Sequence, residues 1–166
     1  PRFGFKSRGL GDVYKRQAAD RVFRDFGRSL AASLEQHQDE DPKQRMASMI
    51  RAYVYYAKEH PALHKVMVQE ASYPNPRLDW LIETHLRPLF DTTAVMLGEL
   101  QRAGVAVQGN PMLLFNMIRL SSGGLLALAN ELKASSGIDV ESDETLDEIT
   151  DMIVSVFLPG EFRRPN

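Results

Sequence analysis

The chain has four histidines, one tryptophan and no cysteine, which narrows the chemistry open to it. Without cysteine there are no disulfides, thiolate metal ligands or cysteine nucleophiles. His60 and His64 are four residues apart, a spacing that chelates a metal when both side chains share one helical face. Pro61 puts His60 at a helix boundary, and the run HPALH lacks the glutamate of the zinc-protease motif, so the pair reads as capping or surface histidines. His85 falls on an apolar stripe near Trp80, Leu81 and Leu89, where it reads as a hydrogen-bonded core histidine that can titrate near neutral pH. Ser121 and Ser122 have no base within sequence reach, and there is no GxSxG elbow, Walker loop or placed GxGxxG. Asp39, Glu40 and Asp41 form a solvated run, while Glu141, Asp143 and Glu144 serve a helix start. No catalytic site, metal or cofactor is expected.

Two other patterns point to binding. Phe26, Met49, Tyr53, Met67, Trp80, Phe90 and Met117 form a methionine and aromatic set spread along the chain. Methionine packs adaptably, and tyrosine and tryptophan bring a polar tip into an apolar wall. Such residues line pockets for hydrophobic ligands between helices, and they also fill cores. The second pattern is Gly123-Gly124 inside the apolar run MLLFNMIRLSSGGLLALANEL. Each glycine costs about 1 kcal/mol relative to alanine in a helix interior, so a close approach of another backbone should offset it. That neighbour is a helix of the same chain or of a second copy.

The elements that must position these residues are helical. Ala19, Val22, Phe23, Phe26, Leu30 and Leu34 recur at helical spacing before the polar stretch QHQDED. Asp41-Pro42 reads as a cap followed by a first-turn proline and starts a second helix running to about His60. His60-Pro61 opens a short third helix carrying Leu63, Val66 and Met67. Asn75-Pro76 opens a long fourth one that Gly104 is placed to end, with Pro88 predicted to kink it or split it in two. Asn110-Pro111 begins a fifth helix through roughly Lys133, apolar nearly all round, with Gly137 beyond it. Ser142 caps the last, which carries Leu146, Ile149, Ile153 and Val156 on one stripe. No alternating stretch argues for a strand. The expected fold is all-α, a bundle of about six helices, with the last two building a four-helix interface in an isologous dimer.

At 166 residues, 43% hydrophobic and 25% charged, the chain has the length and composition of one soluble domain. No apolar run approaches the ~20 residues of a membrane span and no signal-peptide core opens the chain, so no membrane and a cytoplasmic location are expected. Residues 1–17 read differently from the rest. Ser7 to Gln17, SRGLGDVYKRQ, resembles the in-frame translation of a transposase-based sequencing-library adapter. We therefore divide the chain into a non-native tail at 1–17, a domain at 18–158 and a C-terminal tail at 159–166. The first seventeen residues hold five basic groups and one acid. The remainder has fifteen basic and twenty-one acidic residues, a net of −6 that cannot supply the phosphate neutralisation on which nucleic-acid affinity rests.

The stretch HPALHKVMVQEASYPNPRLDWLIETHLRPLF is followed by a helix ending at Gly104, the Asn-Pro-started helix and a final amphipathic helix. In that order these elements resemble the C-terminal regulatory domain of the tetracycline-repressor (TetR) family of transcription factors, from about Ala18 to Phe157. The resemblance implies a pocket for a small hydrophobic or amphipathic ligand and a homodimer built by the last two helices. It also implies that operator DNA is contacted only through a helix-turn-helix head missing from these residues, and that ligand binding releases the DNA. By helix position, the implied ligand residues are the methionine and aromatic set with His85 and Asn116. The implied dimer residues are Leu125, Leu128, Ile149, Ile153 and Val156, with Gly123 allowing close approach. Two other classes fit the same residues: a free-standing helical ligand carrier, and a helical enzyme using His85 or His64 as a base.

Overall fold

The computed structural model describes residues 6–74 and 76–162. Asn75 and its expected cap, residues 1–5 and 163–166, and the side chains of Ala19 and Val66 lie outside the described residues. Seven helices and no strand occur among the described residues: α1 (Lys6–Gln36), α2 (Pro42–Glu59), α3 (Pro61–Ala71), α4 (76–102), α5 (Pro111–Ala127), α6 (Ala129–Ser136) and α7 (Asp143–Phe157). No single one of them is long and apolar enough to cross a membrane.

Local signals set most boundaries. The Asp41 carboxylate accepts from the N–H groups of Lys43 and Gln44 at 2.9 and 3.0 Å, and Pro42 fills the first turn of α2. Asn110 repeats the device on α5, accepting from Met112 N at 2.9 Å and Leu113 N at 3.3 Å. The Ser142 hydroxyl caps α7 through Thr145 N. Gly104 and Gly137 stand at φ +72° and +73°, the left-handed conformation that ends a helix without a Cβ penalty. Asp41→Ala should cost about 1 kcal/mol of stability, read from denaturant unfolding, because both N–H groups lose a charged acceptor. An unchanged midpoint would show that water replaces the cap.

Three elements differ from the periodicity reading. First, α1 begins at Lys6 rather than near Ala19, because no proline interrupts the chain before Ala19 and adding residues to a nucleated helix is cheap. Second, of the two outcomes expected at Pro88, the split does not occur, since α4 runs on through it. A single π turn at Ile82–Leu86 precedes it, with Arg87 N–H reaching back to Ile82 O, and this wider turn takes up the proline's missing donor. Third, the expected helix from Pro111 to Lys133 is two helices, α5 and α6, meeting at 72°. A second π turn at Leu120–Gly124 precedes the break, and Leu128 N–H closes a tight turn on Leu125 O at 2.9 Å. The Ser122 hydroxyl bonds back to Ile118 O at 2.7 Å, and two glycines come next, so the ladder is weakened where it bends.

In the middle lies α2, touching α1, α3, α4, α5 and α7. It buries Met46, Met49, Ile50, Val54, Tyr56 and Ala57. Arg51 pairs with Asp147, and Lys58 with Asp143 at 2.6 Å, tying the solvent side of α2 to α7. The chain after α7 also docks. Leu158 is fully buried, Gly160 N–H donates to Val105 O at 2.9 Å, and Phe162 packs on the core. A Cβ at Gly160 would stand 2.0 Å from Gly104 O, so glycine is what lets these two loops meet.

Candidate functional site

A narrow cavity of about 60 Å³ opens where α1 to α5 converge. Each helix contributes its core-facing side chains. From α1 and α2 come Phe23, Phe26 and Leu30, then Met46, Met49, Ile50 and Tyr53. From α3 come Leu63, His64 and Met67, and from α4 Leu86, Leu89, Phe90 and Thr93. α5 closes the wall with Phe115, Ile118 and Arg119, and the rings of Phe90 and Phe115 meet at 4.9 Å. The walls are mostly apolar, with flexible thioethers on two sides. In this state the space is far smaller than the ~300–1,000 Å³ of drug-sized pockets. A ligand of that size must displace side chains, and methionine does so cheaply.

Five of the nine sequence candidates line this cavity: Phe26, Met49, Tyr53, Met67 and Phe90. Four do not. Trp80 and His85 form a separate cluster between α4 and α1. There His85 stacks on Phe23 at 5.5 Å, meets Trp80 edge-on, and places Nε2 3.1 Å from Asp20 Oδ1. Burial holds the His85 pKa below its ordinary value, with Asp20 opposing and Arg24 adding to the drop. Met117 points away, 54% exposed on the outer side of α5. Asn116 stands behind the wall. Its Oδ1 accepts from Arg119 Nε and Nη2 at 3.3 and 3.1 Å, and its Nδ2 is anchored to Met112 O.

Two polar members of the lining, His64 and Arg119, are absent from the ligand residues the sequence reading implied. His64 is a buried side chain, not the surface or capping residue its spacing indicated, and its Nε2 has no hydrogen-bond partner among the described residues. Burial first, and then the Arg119 charge, lower its pKa from 6.5 to about 4. Tyr53 lies edge-on to His64 at 5.3 Å, and burial pushes its phenol above the ordinary range while Arg119 pulls it down. Among the described residues Arg119 is the one charged residue in the lining, and it makes no ion pair with them. A signal for it was present: one cation inside an otherwise apolar stretch.

Compared with protein-family models and with curated proteins, the chain matches none.

Gly123 is buried, and a Cβ there would stand 2.2 Å from His64 Cε1 and 2.3 Å from Nε2. The close approach that the glycine pair requires is therefore made by a histidine of the same chain. Gly124 is different, since its Cβ would meet Leu120 at 3.6 Å and the Arg119 carbonyl at 3.9 Å, both ordinary contacts within its own helix. On the outer side, Leu113, Met117 and Leu120 of α5 and Met152 and Val156 of α7 are all more than half exposed. A groove lined by Ser121, Leu125, Ile149, Met152, Ile153, Val156 and Phe157 runs between the two helices. Of the candidate dimer residues, Val156 and Leu128 are exposed and Leu125 is half-buried, whereas Ile149 and Ile153 sit mainly in the protomer core.

Proposed function

We propose that this chain is the ligand-sensing and dimerising domain of a TetR-like transcriptional regulator, the DNA-binding head lying outside these 166 residues. The observation that carries the reading is the double role of α5. One face, through Phe115, Ile118 and Arg119, walls the cavity, while the opposite face presents Leu113, Met117 and Leu120 to solvent. Exposed apolar stripes of this kind mark interaction surfaces. A second copy laying its own α5 and α7 across this face by a two-fold axis would cover both stripes at once. A ligand that enlarges the cavity then presses on the helix that sets the dimer geometry. Differential affinity for the two arrangements is what a sensor needs. Use of His64 as a general base gains no support, because its depressed pKa makes it a weak base at neutral pH and no carboxylate among the described residues of the lining orients it.

The test is sedimentation of the wild type against Met152→Asp and Val156→Asp. Both side chains are exposed in the protomer, so each variant should keep its helical content while the dimer separates, the new charge being buried without a partner at the interface. A monomeric wild type, or variants that sediment as the wild type does, would overturn the interface. Ile153→Asp is the wrong probe, since that side chain is only 4% exposed and its loss would damage the protomer itself.

A further inference from the structure

The cavity has a polarity that the sensing reading does not use. Among the described residues its lining contains one cation and no carboxylate. Arg119 spends Nε and one Nη2 hydrogen on Asn116, which leaves the Nη1 end of the guanidinium without a partner among the described residues. Asn116 is itself tied to the α5 backbone, so the guanidinium plane is held and not left to swing into solvent. Tyr53 of α2 and His64 of α3 line the same cavity. The Tyr53 hydroxyl makes no hydrogen bond among the described residues, and buried His64 Nε2 is unsatisfied. Of these atoms only His64 Nε2 is fully buried, and it abuts Gly123; among the described residues, Arg119 Nη1 and the Tyr53 hydroxyl are the unpaired polar groups of the lining that are open to a partner. The remaining lining is hydrocarbon, thioether and aromatic ring, with one threonine.

Building on the sensing reading above, we propose that the ligand is an amphipathic monoanion, a carboxylate on an apolar chain or ring. Its head would sit on Arg119 with Tyr53 beside it, and its tail would displace the side chains of Met46, Met49 and Met67. A guanidinium takes a carboxylate through parallel N–H bonds, and hydrogen bonds to an ionised partner are stronger than neutral ones. A cationic amphiphile would meet like charge with no compensating acid in the lining. A neutral one would leave the guanidinium unpaired.

Titration calorimetry of the full chain with octanoate, octanol and octylamine tests this. Octanoate should bind at least tenfold tighter than octanol, and octylamine weakest. Arg119→Met keeps the apolar stem and removes the charge. It should erase the preference for octanoate by weakening that ligand tenfold or more while leaving octanol unchanged. If Arg119→Met does not fold, Arg119→Lys serves instead; it keeps a charge without the fork and should lose most of the preference. Equal binding of octanol and octanoate by the wild type overturns the anion assignment and leaves a cavity for neutral ligands standing. Retention of the full preference in Arg119→Met overturns it too. Failure of all three probes to bind overturns the sensing reading along with it.

Discussion

Gly123→Ala should lower stability by about 1–2 kcal/mol, while Gly124→Ala, one residue on, should raise it by up to about 1 kcal/mol. The difference lies in what each Cβ meets. At Gly123 it would stand 2.2–2.3 Å from two atoms of the His64 ring, inside van der Waals contact, so the ring or the helix must move. Overpacking of this kind costs about 1–3 kcal/mol and occasionally more, which outweighs the ~1 kcal/mol that alanine gains in a helix. At Gly124 the nearest neighbour is 3.6 Å away, so the propensity gain stands alone. The open space available to the displaced ring is the cavity, so Gly123→Ala should also obstruct ligand entry. Denaturant unfolding of the two variants gives the comparison. His64→Ala in the Gly123→Ala background should recover much of the loss, giving a coupling energy of at least about 1 kcal/mol. Parallel, uncoupled losses would mean that the glycine is required for the π turn and not for the histidine.

Acidification should weaken the fold through the same histidine. His64 has a pKa of about 4 in the folded chain against 6.5 as its ordinary value, because burial and Arg119 both disfavour the imidazolium. The unfolded chain takes up a proton near pH 6.5, and the folded one holds off until about pH 4. The contribution of the neutral ring to stability is therefore full above pH 6.5 and is lost as the pH falls from 6.5 towards 4. A shift of this size corresponds to about 3 kcal/mol. His64→Gln, which cannot titrate, should flatten unfolding free energy over that window by a comparable amount. His85, also shifted down by burial, contributes with the same sign, so His64→Gln will not abolish the slope. A slope unchanged in His64→Gln would show that the ring is already solvated in the folded state.

Helix starts at Asp41-Pro42, Asn110-Pro111 and Ser142, and the stops at Gly104 and Gly137, were legible in the sequence because capping is a contact between near neighbours. The apolar faces of α1 and α2 were legible as well, and with them Phe26, Met49 and Tyr53. The misplacements cluster at or beside the two π turns. A π turn inserts one extra residue and rotates the rest of the helix by about 100° relative to an unbroken one. Trp80 and His85 lie at or beside the first such turn, and Met117 just before the second. In α5, apolar nearly all round, the pattern offered no way to tell the face that meets the cavity from the one that meets solvent.

The sequence alone determined an all-helical chain, its main punctuation, the absence of cysteine chemistry and an acidic body after residue 17. The tertiary structure decided which apolar residues share one cavity and that Ile149 and Ile153 belong to the protomer core. It also decided that His64 fills the place Gly123 leaves, with Arg119 and Tyr53 beside it in the cavity wall. The physical reason is range. Caps, turns and periodicity are set by residues within a few positions of each other. A cavity depends on side chains from five helices, and its polarity on a charge whose surroundings exist only once those helices are packed.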